Sequence, residues 1–194
     1  MDIDPSKWTR ERAQAQQRHV VYETACALAE STTLAEATPR MLEAICEALG
    51  WEYGALWQVD RTANLLRCVD TWHPPSLAFH EFADVSRSRS FASGVGLPGR
   101  VWASRESAWI PDVVQDANFP RAPIANRVGL HGAFGFPILL GQEVLGVLEF
   151  FSREIRRPDE DLLEMLGTIG SQIGQFAERK RAEGELAKIG RAHV

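Results

Sequence analysis

The chain has 194 residues, a length that suits one domain with helical extensions better than two full domains. Hydrophobic residues make up 45% and charged residues 24%, a globular composition with enough apolar mass for a packed core. The net charge of -5 comes without any basic stripe interleaved with aromatics, which argues against nucleic acid as a direct partner. No apolar run approaches the roughly 20 residues that span a bilayer, and the start, MDIDPSKWTRERAQAQQRH, lacks the apolar stretch of a signal peptide. The expected location is the cytoplasm. Cys26, Cys46 and Cys68 lie far apart and form no CxxC or Cys/His cluster, so they are expected as reduced, small apolar side chains with no metal site.

In chain order, Ser6 to Glu30 predicts a helix whose apolar stripe is Val20, Val21, Ala25 and Leu28. Ser31 or Thr32 is the expected cap of a second helix, in which Leu34, Ala37, Met41, Ile45 and Leu49 recur at three- and four-residue steps before Gly50 closes it. Pro39 inside this stretch predicts an irregular first turn or a later start. Trp51 to Val59 and Leu65 to Trp72 read as two strands joined by a turn over Asp60 to Asn64, a candidate hairpin. A short helix is expected somewhere between His73 and Arg89. The middle, Ser90 to Gly129, reads as turn-rich with one short strand at Ala108 to Ile110.

Gly132 to Leu140 and Val144 to Phe151 are apolar strands joined through Gly141-Gln142-Glu143, a tight hairpin turn. Pro158 and Asp159 open a long last helix. Its apolar residues Leu162, Leu166, Ile169, Ile173 and Phe176 step by 4, 3, 4 and 3, a heptad seam that predicts a homodimer through the terminal helices. The charged ERKRAEGELAK follows. The last six residues, IGRAHV, carry no helical stripe and resemble the translation of a sequencing-library adapter. They are read as a non-native tail, with the natural chain expected to continue beyond Lys188 into a missing output domain.

The order of motifs from Gly94 to Ser152 resembles the second half of GAF domains in bacterial histidine kinases and cyclic-dinucleotide enzymes. The matching stretches are the glycine-rich turn and short helix of Gly94 to Trp102, the strand ending in Pro-Asp-Val at Val113, and a variable segment from Asp116 to Gly129. A Gly-x-Pro-Ile strand at Gly135 to Ile138 and the Val-Leu-Gly-Val-Leu strand at Val144 to Leu148 complete the pattern. With the preceding helix and hairpin the resemblance covers roughly Val20 to Phe176. It implies an α+β fold, a central antiparallel sheet of about six strands flanked by helices, with long N- and C-terminal helices. The implied division is a helical extension over 1–19, the domain over 20–176, a helical signalling linker over 177–188 and the tail over 189–194.

In that family the segment matching Asp116 to Gly129 lies over the sheet and lids a small-molecule pocket. The resemblance therefore implies ligand contacts from the aromatics Trp57, Trp72, Trp102, Trp109, Phe119 and Phe134. The polar groups Asn118, Arg121, Asn126 and His131 would fix orientation, as a few polar groups do in an apolar site. His131 is the one residue there that could ligate a haem, but it stands alone at a strand start, where a structural role is expected. The cofactor is unknown, and covalent bilin is disfavoured because Ala122 stands where the attachment thiol belongs. Gly94-Val-Gly-Leu-Pro-Gly99 spells G-x-G-x-x-G, yet no βαβ unit surrounds it, so a flexible turn opening a short helix is expected instead of a phosphate cradle. Asp112 and Asp116 are expected to bond loop backbone.

The resulting expectation is a non-enzymatic, small-ligand-sensing and dimerising input module of a multidomain signal-transduction protein, truncated before its output, which resemblance alone suggests to be a histidine kinase or cyclic-dinucleotide synthase. Two alternatives stand beside it: a dimerisation module without ligand, and a methionine sulfoxide reductase built on the same fold. The latter needs attacking and resolving thiols around the pocket, and no cysteine follows Cys68.

Overall fold

The computed structural model describes the backbone of residues 5–192 and the side chains of residues 10–189; residues 1–4 of the expected N-terminal extension and 193–194 of the expected tail lie outside the described residues. The first helix, α1 (Pro5–Ala29), packs on α2 (Leu34–Leu49). The buried stripe of α1 is Val20, Thr24, Ala27 and Leu28, while Val21 and Ala25 of the expected stripe face outward. Steps of four and three from Val20 reach Thr24 and Ala27, and the buried Thr24 Oγ1 has no hydrogen-bond partner among the described residues.

The cap of α2 is Thr33, one residue beyond the expected positions. Its Oγ1 accepts from Glu36 N–H at 3.2 Å, and the Glu36 carboxylate reaches back to Thr32 N–H and Oγ1, both at 2.8 Å. The Thr-x-x-Glu spacing decides which hydroxyl caps. The helix runs through Pro39 without a break, and Gly50 closes it in the left-handed region (φ 66°), as its position after Leu49 requires.

Six strands form one antiparallel sheet in the order β3-β2-β1-β6-β5-β4. They are β1 (Tyr53–Asp60), β2 (Leu65–Trp72), β3 (Ser90–Phe91), β4 (Ala108–Ile110), β5 (Gly132–Leu140) and β6 (Glu143–Ser152). Both expected hairpins form. The first turns on Asp60, whose Oδ1 accepts from Thr62 and Ala63 N–H at 3.0 Å each. Between β2 and β5 lie α3 (His80–Ser88), α4 (Gly96–Ser104) and α5 (Ala122–Val128). The reading of the middle as turn-rich missed β3 and α5, because two and seven residues are too few to show a period.

The central strands are covered on both faces, which is why β5 and β6 read as nearly unbroken apolar runs. On one face α1, α2 and the last helix, α6 (Glu160–Ala192), cover Leu56, Phe134, Phe136, Leu148 and Phe150. On the other, α3, α4, α5 and their loops cover Tyr53, Ala55, Trp57, Val147 and Phe151.

The heptad seam of α6 is spent inside the domain. Leu162, Leu166, Ile169, Ile173 and Phe176 are all at most 6% exposed and belong to the helix-face core. Gly170 and Gly174 let the helix backbone lie directly on β5: a Cβ at either would sit 2.0 Å from the carbonyl oxygen of Pro137 or Leu139. The expected use of this seam as a dimer interface is therefore corrected, since a heptad step marks one apolar face without naming what covers it. The helix also continues through 189–192, where the sequence showed no stripe.

Candidate functional site

The second face of the sheet holds an ion pair at its centre. Glu149 is the one charged residue in the apolar run of β6, and strand alternation points it away from the helix face while Leu148 and Phe150 point toward it. Arg121 immediately precedes α5 and sends its side chain down onto the sheet. Both are 0% exposed. The guanidinium meets the carboxylate in a fork: Nη1 lies 2.7 Å from Oε1 and Nη2 donates to Oε2 at 2.8 Å. Nη1 also donates to Ser86 Oγ of α3 at 2.9 Å, and Trp57 Nε1 donates to Glu149 Oε1 at 2.7 Å. Arg121 Nε finds no partner.

Aromatic faces close the site around the guanidinium. Its central carbon lies 5.1 to 5.3 Å from the ring centroids of Trp57, Phe82, Phe91, Phe119 and Phe151, all within cation–π range. Burial raises the Tyr53 phenol beside them well above its ordinary range. Cys68 borders the same cluster from β2, opposite Trp57. Burial, reinforced by the Glu149 charge, pushes its thiol up to about 12, so it holds its proton at neutral pH. Cys46 is raised too, by burial within α2.

The loop from β4 to β5, which carries α5, forms a lid fastened by polar contacts at its rim. Asn118 accepts from Gly96 N–H at 3.1 Å and donates to Gly94 O at 2.9 Å, and Arg100 pairs with Asp116 and donates to Asn118 O. Arg127 of α5 pairs with Glu81 of α3. The glycine turn is thus a docking point for Asn118; the Gly96 N–H that a phosphate would need is already engaged. Asp112 and Asp116 bond backbone as expected, at Val114 N and Asn118 N.

Of the residues expected at a pocket, the structure brings together Trp57, Phe119 and Arg121, with Trp102 packed at the edge of the same cluster and Asn118 at the rim. It separates the others. Trp72, Trp109 and Phe134 lie on the helix face, where Trp109 and Phe134 stack with centroids 5.6 Å apart. Asn126 points to solvent. His131 Nδ1 sits 2.9 Å from Asp112 Oδ1 outside the aromatic box. Sequence reasoning missed Glu149, Ser86 and the rings of Phe82, Phe91 and Phe151. For Glu149 the signal existed: a lone carboxylate inside Val-Leu-Gly-Val-Leu-Glu-Phe-Phe must find a buried cation.

A separate open groove of about 720 Å³ lies on the helix face between the start of α2, the sheet and α6, bordered by Thr33, Leu56, Ile138, Leu145 and Arg181. Among the described residues no group of three or more His, Cys, Asp or Glu gathers to hold a metal, and no helix is long and apolar enough to cross a membrane.

The fold resembles several solved structures at identities that speak for fold alone. The GAF domain of a phosphoenolpyruvate-protein phosphotransferase (ptsP) from Coxiella burnetii superposes with a TM-score of 0.74 at 19% identity, covering 88% of this chain and 98% of that one. The free methionine-R-sulfoxide reductase of Neisseria meningitidis, in complex with its substrate, gives 0.70 at 18% identity over 86% and 91%. The nlh2 GAF domain of A. aeolicus, in an inactive state, gives 0.68 at 22% identity over 86% and 98%. Comparison with curated proteins finds no match. The model of the GAF domain matches residues 31–178, three quarters of the sequence, and the chain belongs to that family.

Proposed function

We propose that this chain is a cytoplasmic, non-enzymatic input module of a multidomain signalling protein, which senses a small molecule under the lid and passes the change to its terminal helices. The observation that carries this reading is the placement of Arg121. One side chain joins the lid to Glu149 on the central strand β6, so the state of the site and the position of the lid are one variable. β6 pairs with β5 along its whole length, and β5 carries α6 on its Pro137 and Leu139 carbonyls. A displacement at Glu149 therefore has a short rigid route to α6. Thiol catalysis at the Arg121 site is disfavoured because the cysteine that borders it, Cys68, is held protonated, and a thiolate is the nucleophile.

Self-association belongs to the same reading, through apolar side chains that the terminal helices leave exposed: Val21 and Tyr22 on α1 and Leu186 on α6. Replacing Tyr22 and Leu186 by glutamate should shift sedimentation toward monomer without lowering the melting temperature. The second reading, a dimerisation module that holds no ligand, is favoured by one observation: the guanidinium of Arg121 already fills the space under the lid. A melting-temperature panel of neutral, anionic and cationic metabolite-sized compounds separates the two. Sensing expects a compound that raises the melting temperature and alters hydrogen exchange in residues 111–131 and in α6. A panel with no response in any charge class leaves the ligand-free reading.

A further inference from the structure

We propose that the Arg121 box is a cation receptor occupied by the chain's own arginine, and that the external ligand of this site is a small organic cation that displaces it. The inference rests on the sensing reading above and names its ligand class. Three observations lead to it. The first is charge. Glu149 is fully buried, and its counter-charge is Arg121. Lifting Arg121 out with the lid strands a carboxylate among aromatic rings, with one N–H from Trp57 to hold it. A neutral or anionic newcomer leaves it stranded; a cation restores the balance.

The second observation is shape. Five ring faces at nearly equal distance from one point, with a carboxylate accepting two parallel N–H groups, make a receptor for a planar or alkylated cationic head. Most of that receptor does not belong to the lid. Trp57, Glu149 and Phe151 are on the sheet, Phe91 on its edge strand, and Phe82 and Ser86 on α3, so only Phe119 departs with Arg121.

The third is the imperfection of the closed form. Arg121 Nε is a buried donor without a partner, a loss that a free ligand with an alkyl group at that position avoids. The rim fastenings of the lid include the Arg127–Glu81 pair, with both side chains more than half exposed, which contributes little in water. The Arg121–Glu149 contact, which an external cation replaces, is the one fully buried ion pair among the fastenings, beside the Asn118 and Arg100 contacts at the rim and the apolar packing of Phe119, Ile124 and Ala125.

The test uses methylguanidine and its neutral counterpart methylurea, at matched ionic strength, followed by the indole N–H resonance of Trp57. In Arg121→Ala, methylguanidine is expected to move that resonance and to bind at least about tenfold more tightly than methylurea. The double variant Arg121→Ala/Glu149→Gln should lose the preference. The wild type should bind methylguanidine at the same resonance but more weakly, by the fraction of chains in which Arg121 is out. Should Arg121→Ala not fold alone, folding restored by methylguanidine and not by methylurea supports the receptor, and failure with both counts against it. Equal binding of the two probes, indifference to Glu149→Gln, or a wild-type resonance that never moves overturns the proposal, the last by making Arg121 a permanent strut. A neutral or anionic compound that binds the wild type under the lid while methylguanidine does not removes the cation inference and leaves sensing intact.

Discussion

The two faces of the sheet are closed by different physics. Among the described residues the helix face holds no buried charge: Phe134, Phe136 and Phe150 stack within about 6.5 Å of one another, and α6 lies on them through glycines and a row of Leu, Ile and Phe. Contacts of that kind are non-directional and many, so no single one can open without the rest. The second face carries, within its own apolar packing, one directional, charged contact whose two members sit apart, one just before the short helix of the lid and the other on the central strand. Such a contact can be exchanged for another with the same charge pattern. The difference assigns roles: the helix face fixes the frame, and the Arg121 face can change state.

If the helix face is frame, a charge placed in it should cost the most. Ile173→Asp puts a carboxylate into the fully buried seam and is expected to destabilise the protein by roughly 4 kcal/mol or more, whereas Gln175→Asp on the exposed side stays within about 0.5 kcal/mol. Urea denaturation measures both, and a folded, monomeric Ile173→Asp would return the seam to a dimer interface. The Arg121 face comes next. Glu149→Leu and Arg121→Met should each cost about 3–5 kcal/mol because each leaves a buried charge uncompensated, while the two together should cost far less than either single change. Additive losses across that cycle would show that the two residues act apart.

Gly174→Ala tests the close approach of α6 to β5. Helix propensity alone favours alanine by about 1 kcal/mol. The 2.0 Å collision with the Leu139 carbonyl predicts the opposite sign, a loss of about 1–3 kcal/mol with weakened hydrogen-exchange protection in β5. The effect that is absent at neutral pH concerns Cys68. Its folded thiol titrates at about 12 against an ordinary value of 9.0, so the unfolded chain releases the proton first. The contribution is whole below pH 9 and fades as pH rises from 9 toward 12. Wild type should lose more stability over that window than Cys68→Ala; parallel curves would place the thiol in water.

Much of the frame was legible in residues close along the chain. Both hairpins, the Gly50 stop and the long last helix follow from local signals whose physics acts over a few residues: turn chemistry, capping and period. The site was legible only in part. The family resemblance marks Trp57, Phe119 and Arg121, but equally Trp72, Trp109 and Phe134, which lie on the other face: strand alternation sends Trp109 and Phe134 there, and the register shift in β2 between Cys68 and Asp70 sends Trp72. Choosing between the faces needs the register of β1, β2, β4 and β5, which a list of aromatics does not contain.

Two matters were decided by the tertiary structure alone. The 4-3-4-3 spacing of α6 says that one face of a helix is apolar; a second chain or the chain's own sheet satisfies it equally, and only the path of the backbone brings β5 beneath Gly170 and Gly174. Likewise Glu149 demanded a cation, but its partners lie 28 residues away at Arg121 and 92 away at Trp57. Propensity, capping and period act within a few turns of chain, so they fix what each segment is. Burial and charge compensation act through space and fix what each segment meets.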